Sequence, residues 1–175
     1  MFVALPTAFL TEEDNGYFIG AISLPEGSVN IRTNAAIKEF LAYMGKDDAV
    51  EQTFGVTGFD ILSGGQKPNA GHSFIKLKPW DERKGAASQV GALIGKAAAY
   101  NATHPDVNIM ALNPPSIPGL GSSGGFSMYI QNKNGDSNEN MQRVIGQFLG
   151  AANRRPEIKM AYTTFRMDTP SYNFD

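Results

Sequence analysis

The sequence predicts an α+β fold, and two observations support this prediction. Short apolar segments bounded by turn residues are typical of strands, and they alternate with longer segments whose apolar residues recur at helical spacing. Up to residue 112 the order is strand, helix, strand, strand, helix, strand. This order predicts a ferredoxin-like split βαβ unit, and a shorter strand–helix–strand pattern after it predicts an incomplete second βαβ unit.

The first strand–helix–strand segment spans residues 17–57. Residues 17–24 (YFIGAISL) predict a strand that ends at turn residues, and Ser28 is a suitable N-cap for the helix that follows. Gly45 ends this helix, and residues 50–57 (VEQTFGVT) predict the second strand. The apolar face of the helix comprises Ile37, Phe40, Leu41 and Met44.

A glycine-rich segment, residues 58–71 (GFDILSGGQKPNAG), predicts a loop between the second and third strands. The third strand is predicted at 72–77 and the fourth at 107–112. The helix between them ends at His104 and Pro105. The apolar face of this helix comprises Val90, Leu93, Ile94 and Ala97.

The pattern restarts after a linker rich in proline and glycine. Residues 126–132 and 158–165 predict two strands, and Ser137 is a suitable N-cap for the helix between them. The apolar stripe of that helix comprises Met141, Val144, Ile145, Phe148, Leu149 and Ala152. A single βαβ is a poor independent sheet, so strands from elsewhere are expected to complete it.

The composition argues against several classes of function. A formal charge of −2 and a pI near 5.7 give no electrostatic reason to expect nucleic acid or an anionic membrane as a partner. The chain has no cysteine, which excludes disulfides, thiolate catalysis and cysteine-ligated metals. No segment has the pattern of a signal peptide or of a bilayer span, so the chain as given is expected to be soluble.

The segment GLGSSG, residues 119–124, has the spacing of a dinucleotide-binding loop. Such a loop needs a strand directly before it and a helix directly after it, whereas prolines precede this one and a strand-like pattern follows. An inter-domain linker is therefore predicted. His72 and His104 have no carboxylate at metal-ligand spacing and are expected at the surface or in turns. With no catalytic constellation, the sequence predicts a protein that is not an enzyme and has no cofactor or metal.

One face of the predicted sheet is more apolar than the fold requires. Both helices of a ferredoxin-like unit pack on one face, so the other face should be polar unless something covers it. Strand alternation assigns to that other face Ile19, Phe74, Met110 and Leu112. Phe54 and Val56 share a face of the second strand that the sequence does not specify, and the predicted loop adds Phe59, Ile61 and Leu62. This surface indicates either a binding groove or partner interface, or packing against another part of the same fold.

Five strings that span nearly the whole chain carry a family resemblance. They are LPTAFLTEEDNGYFIGAISLPEG (5–27), VEQTFGVTGF (50–59), NAGHSFIKLKPWDER (69–83), ALNPPSIPGLG (111–121) and DTPSY (168–172). With these strings in this order, the chain resembles the periplasmic porter region of resistance-nodulation-division (RND) efflux pumps. The resemblance is to the AcrB/MexB-like hydrophobe/amphiphile exporter family.

The resemblance implies a domain organisation. Residues 1–14 are expected to be a linker that follows a transmembrane helix in the parent protein. Residues 15–117 are expected to form the first C-terminal porter subdomain, and residues 118–175 the first half of the second. In the family, chain that returns after a docking-domain insertion completes the second subdomain. The chain is thus expected to be a fragment from the periplasmic portion of a bacterial inner-membrane protein.

The resemblance also implies a function. The family exports hydrophobic and amphiphilic drugs by proton antiport, as a homotrimer that works with a periplasmic adaptor and an outer-membrane channel. The residues that relay protons lie in transmembrane helices outside this chain. The fragment is therefore expected to bind and guide drugs in the efflux pathway, and not to transport them alone.

Site residues carry over from the family by position. Substrate-pocket or switch-loop positions match Phe54, Val56, Phe59 and Phe74, and substrate-cleft positions match Ile19, Ala21, Met110 and Leu112. Ile61 lies near a loop position that is often phenylalanine, and Tyr162 stands where a basic residue is often found. Met110 and Leu112 replace aromatic residues of some members. Because of these departures, the resemblance does not imply a particular substrate preference, least of all one for anionic drugs.

Three other interpretations are consistent with parts of the sequence. One is a porter domain from an RND relative with a different cargo. Another is a free-standing ferredoxin-like regulatory module that binds a small ligand, which would require a self-contained fold. A third, RNA binding on the open sheet, would require basic charge among the aromatic residues, and the acidic pI argues against it.

Overall fold

The computed structural model describes residues 13–114, 128–133, 135–158, 161–163 and 165. The described residues up to 114 belong to one compact unit, and those from 128 onward belong to a second. Each unit is therefore described by itself. Among these residues, no helix combines the length and the apolar character that a membrane span requires.

The first unit is a four-stranded antiparallel sheet with two helices. In chain order its elements are β1 (Tyr17–Ser23), α1 (Asn30–Met44), β2 (Val50–Asp60), β3 (Gly65–Leu77), α2 (Val90–Thr103) and β4 (Asn108–Leu112). The strands lie in the order β2-β3-β1-β4, and each neighbouring pair is antiparallel. This arrangement confirms the predicted α+β fold and its split βαβ topology.

The core lies between the sheet and the two helices. Alternate residues of β1, Phe18 and Ile22, are buried against it, together with Ile75 of β3 and Ile109 of β4. The helices contribute the residues that their spacing predicted, among them Ile37, Phe40, Met44, Leu93 and Ala97. The strand alternation read from the sequence therefore assigned the core-facing residues correctly in β1, β3 and β4.

Two local predictions in the first unit are wrong. Helix α1 has Val29 as its N-cap with no side-chain capping bond, whereas Ser28 is buried in the preceding turn, where its N–H donates to the Pro25 carbonyl at 3.2 Å. The predicted loop at 58–71 is instead the turn half of a long β2–β3 hairpin, whose turn occupies only residues 61–64. Gly58 and Gly64 adopt positive φ, at the pairing shift and in the tight turn, whereas Gly71 lies within β3.

The second unit contains helix α3 (Asn138–Ala152), with the predicted cap. The Ser137 hydroxyl accepts a hydrogen bond from the Asn140 N–H at 3.3 Å. The two flanking strands are not formed by the described residues of 126–132 and 158–165; the remaining residues of these ranges lie outside the described part. A strand requires a neighbour to pair its backbone groups, and one βαβ does not supply enough of them.

In each unit, an asparagine near the C-terminus of the last described helix uses its side-chain amide to bond the backbone of a residue beyond that helix. In the first unit, the amide of Asn101 donates to the Ile109 carbonyl at 2.8 Å and accepts from the Ile109 N–H at 2.9 Å. In the second, the amide of Asn153 makes the same two bonds with Ala161, at 3.0 and 2.7 Å. The separation is eight residues in both cases. Each asparagine amide thus bonds both the N–H and the carbonyl oxygen of one residue, as the backbone of a neighbouring strand would.

Candidate functional site

Cross-strand pairing brings the predicted site residues together in two rows. Directly paired residues in an antiparallel sheet share one face, so the register shows which side chains are neighbours. From β2 to β4, one row is Phe54, Phe74, Ile19 and Leu112. The next row is Val56, His72, Ala21 and Met110. These eight residues are referred to as the open face.

The position of Gly55 establishes which face of β2 carries Phe54 and Val56. A Cβ atom placed on Gly55 would lie 2.6 Å from Cγ2 of Ile37 and 3.0 Å from Cδ1 of Leu41, both on α1. Gly55 therefore faces the helices. Because neighbouring residues of a strand point to opposite faces, Phe54 and Val56 lie on the face away from the helices. This settles the assignment that the sequence left open.

Exposure varies across the open face. At the β2 edge, Phe54 leaves 59% of its surface exposed. Ile19, Val56, Phe74 and Met110 are half-buried. Ala21, His72 and Leu112 are buried. The most accessible apolar surface is thus at the β2–β3 side of the sheet.

Four rings form a chain along the β2–β3 side. The ring centroids of Phe54 and Phe74 are 6.5 Å apart, and that of Phe74 is 5.4 Å from His72 in an edge-to-face arrangement. His72 in turn lies 5.9 Å from Phe59, also edge to face. Such contacts are favourable for ring quadrupoles and fix the relative orientation of the rings.

A bulge positions Phe59 in this chain of rings. The pairing of β2 with β3 shifts between Thr57 and Phe59, and Gly58 between them has a φ of +90°, which a residue with a side chain rarely adopts. Thr57 pairs with Gly71 and Phe59 with Gln66, so the additional residues lie in β3, and the positive φ of Gly58 interrupts the alternation of β2. The Phe59 ring consequently lies against His72 of the open face.

Asp60 holds the hairpin turn next to Phe59. Its carboxylate accepts hydrogen bonds from the Leu62 N–H at 3.0 Å, the Ser63 hydroxyl at 2.6 Å and the Lys67 ammonium at 2.9 Å. Burial acts to raise the pKa of Asp60, but these hydrogen bonds and the charge of Lys67 outweigh it and lower the pKa below its ordinary value. Ile61, a predicted site residue, lies in this turn and is half-buried, so it is outside the sheet.

Polar residues border the open face on one side. The next row across β2, β3 and β1 is Gln52, Lys76 and Tyr17. The ammonium of Lys76 is 2.9 Å from Oε1 of Glu51, so its charge is partly balanced. An apolar surface with a polar, charged border is suited to a compound that has both kinds of surface.

His72 is the site residue that sequence reasoning missed. It was predicted at the surface or in a turn, and this is wrong, because it is 8% exposed and lies in the second row of the open face. The sequence contained a signal for this position, because His72 and Phe74 are two residues apart in the predicted third strand, and alternation places such residues on the same face. His104, in contrast, is at the C-terminus of α2, as predicted, and its Nε2 is 3.4 Å from Oε1 of Glu39.

The chain matches one protein-family model and several known efflux transporters. A sequence model described as the AcrB/AcrD/AcrF family matches residues 1–175. The multidrug/solvent efflux pump membrane transporter MepB of Pseudomonas putida is 34% identical over 174 residues, which is 98% of this chain and 16% of that protein. The toluene efflux pump membrane transporter TtgB of Pseudomonas putida has the same identity and coverage.

A relative from another organism is equally similar. The multidrug export protein AcrF of Escherichia coli is 34% identical over 158 residues, which is 89% of this chain and 15% of that protein. The chain thus spans about one sixth of the length of the curated relatives that it matches. All three relatives are named for efflux or export.

Proposed function

Since the chain belongs to the AcrB/AcrD/AcrF family, we propose that it is part of an RND-type efflux transporter and that its open face binds hydrophobic or amphiphilic compounds on the export route. The observation that carries this proposal is the pair of largely apolar rows that crosses all four strands on the face away from the helices. In a sheet whose helices cover only one face, such residues do not serve the core that those helices form.

Binding on this face is driven by desolvation. Each Å² of apolar surface removed from water contributes about 25 cal/mol, so a flat aromatic compound that covers two phenylalanine rings gains several kcal/mol before its ordering cost is subtracted. The half-buried Phe74 and Met110 provide ring and thioether surfaces that adapt to different shapes. The polar border at Lys76 and Tyr17 accommodates the polar end of an amphiphile. Binding here involves no catalytic step.

The wider setting of the proposal comes from the family. Residues 1–14 are a linker after a transmembrane helix, residues 15–117 the first C-terminal porter subdomain, and residues 118–175 the first half of the second. The parent is a homotrimer whose porter region lies in the periplasm, where it works with an adaptor and an outer-membrane channel. Proton antiport in its membrane part supplies the energy. Cargo is released because the conformations of the porter region bind it with different affinities.

A dye titration tests the proposed binding face. The environment-sensitive dye Nile red is added to the 175-residue chain, and its fluorescence increase is measured for wild type, Phe54→Ala, Phe74→Ala and Ile31→Ala. Ile31 is 83% exposed and belongs to α1, so it is a matched apolar control outside the open face. We expect Phe74→Ala to weaken binding about tenfold, from the apolar contact that is lost.

The control variant determines the interpretation. Binding that is weakened by the two open-face substitutions and unchanged by Ile31→Ala supports the proposal. Saturable binding that is insensitive to Phe54→Ala and Phe74→Ala would place the dye elsewhere and contradict it. Circular dichroism of each variant checks that the fold is retained.

A further inference from the structure

We propose that His72 makes the open face selective for aromatic compounds that carry a hydrogen-bond donor, such as a phenolic O–H or an aromatic N–H. The inference rests on the proposed function of the open face and adds a class of ligand to it. Three properties of His72 support it: its position in the face, the tautomer that its surroundings favour, and an Nε2 that no described residue bonds.

His72 is the one residue of the open face whose side chain has a nitrogen or oxygen atom. Across the sheet it pairs with Val56 on one side and Ala21 on the other. Its ring contacts those of Phe59 and Phe74 edge to face, with centroid distances of 5.9 and 5.4 Å. A ligand ring that lies on these aromatic residues therefore has the imidazole beside it.

The carbonyl oxygen beside Nδ1 favours one tautomer. Nδ1 lies 3.5 Å from the carbonyl oxygen of Phe59, a long contact at which only a protonated Nδ1 is favourable, because a carbonyl oxygen accepts and does not donate. In the neutral ring the single proton is then on Nδ1. Nε2 keeps its lone pair and is an acceptor.

Nε2 has no hydrogen-bond partner among the described residues. The side-chain polar atoms that are both fully buried and unpaired there are Oη of Tyr100 and Oδ1 of Asn113. Nε2 is not one of them, and the register places the His72 ring in the open face, where a ligand would cover it. The residue as a whole is 8% exposed.

The open face discriminates between ligands because covering Nε2 costs free energy when the ligand offers no hydrogen-bond donor. A ligand without a donor that covers the open face removes the water from Nε2 and leaves a desolvated acceptor unpaired. A ligand with a donor replaces that water bond and retains its ring contacts. The difference is typical of one buried hydrogen bond, which corresponds to about fivefold in affinity.

Two matched compounds test the inference. 2-Naphthol carries an O–H donor, and 2-methoxynaphthalene has the same ring system without one. Dissociation constants of both are measured for the wild-type chain, His72→Phe and His72→Gln. We expect His72→Phe to weaken 2-naphthol about fivefold more than it weakens 2-methoxynaphthalene. Glutamine places an acceptor oxygen near the position of Nε2, so His72→Gln should restore part of the preference.

A measurement on the unsubstituted chain makes the test independent of how the variants fold. In wild-type protein, the imidazole nitrogen resonances of His72 report which nitrogen is protonated. We expect an unprotonated Nε2 whose shift changes with 2-naphthol and not with 2-methoxynaphthalene. An equal response to both compounds, or an unaltered preference in His72→Phe, would overturn the inference and leave the binding face intact. If neither compound binds, the proposed function fails, and this inference fails with it.

Discussion

The rings of Phe54 and Phe74, on directly paired residues of β2 and β3, have their centroids 6.5 Å apart, and Phe54 still leaves 59% of its surface exposed. A phenylalanine that serves only the core is buried, as Phe18 and Phe40 are here. The Phe54–Phe74 pair therefore contributes less to folding than its apolar area would suggest. That area remains available to a ligand.

Substitution of the exposed ring should cost little stability. We expect Phe54→Ala to lower the free energy of unfolding by about 1 kcal/mol or less, because little buried surface is lost. Phe18→Ala, which removes a fully buried ring of β1, should cost about 3–5 kcal/mol. Urea denaturation of both variants measures the difference. Equal losses would mean that Phe54 belongs to the packed core.

Open-face substitutions should alter export by the full-length transporter that contains this segment. We expect Phe74→Ala in the open face, and Phe59→Ala beside it, to lower resistance to some hydrophobic compounds and not others, because different ligands contact different rings. Ile31→Ala is the control, and the amount of protein in the membrane is measured for every variant. Unchanged resistance across a broad panel, at normal expression, would rule out these residues as part of the binding site.

Gly71 should not tolerate a side chain. A Cβ atom there would collide with Cδ1 of Ile37 on α1 and with the Val56 carbonyl oxygen, and the backbone atom cannot move aside without breaking the β2–β3 pair. We expect Gly71→Ala to destabilise the first unit by about 2 kcal/mol or more.

Gly95 provides the matched comparison for Gly71. It lies within α2, and a Cβ atom there would meet no neighbour within 4 Å. Gly95→Ala should therefore stabilise the chain by up to about 1 kcal/mol through helix propensity. Thermal unfolding of the two variants should show shifts of opposite sign. A neutral or stabilising shift for Gly71→Ala would mean that α1 does not pack against β3 as closely as described.

A buried ion pair should make stability depend on pH. The Arg83 guanidinium, 1% exposed, donates to both carboxylate oxygens of Asp14, at 2.9 and 3.1 Å, and Asp14 also accepts from the N–H groups of Gly16 and Val90. Burial acts to raise the pKa of Asp14, but the hydrogen bonds and the charge of Arg83 outweigh it, so the folded pKa lies below the ordinary value of 3.8.

The sign of the pH effect follows from that lowered pKa. The stabilisation by ionised Asp14 is fully present above the unfolded pKa and is lost as the pH falls through the folded one. The stability difference between wild type and Asp14→Asn should therefore be largest near neutral pH, and it should shrink as the pH falls below about 4. Arg83→Ala, which leaves a partly buried carboxylate unpaired, should cost about 3 kcal/mol at pH 7. A difference for Asp14→Asn that does not vary with pH would contradict this account.

The parts of the fold that the sequence predicted correctly depend on regular periodicity. Alternation in β1, β3 and β4 assigned Ile19, Phe74 and Met110 to the open face, and helical spacing identified the buried faces of α1 and α2. Pattern alone did not assign β2, because the positive φ of Gly58 interrupts its alternation and Gly55 has no side chain to show which way it faces.

Other features depended on contacts that are distant in sequence. The glycine-rich segment was predicted as a loop, because the Asp60 hydrogen bonds that make its turn compact cannot be read from residue types. The strands predicted around α3 require partner strands, which one βαβ does not contain. His72 was predicted at the surface because histidine is more often found there than inside an apolar sheet.

The most direct test of the central claim is a nuclear magnetic resonance titration of the 175-residue chain with Nile red. We predict that the largest shift changes occur at the open face, at residues such as Ile19, Phe74 and Met110, with little change at Ile31 on α1. Changes confined to the helices, or spread evenly over the chain, would contradict a binding site on the open face.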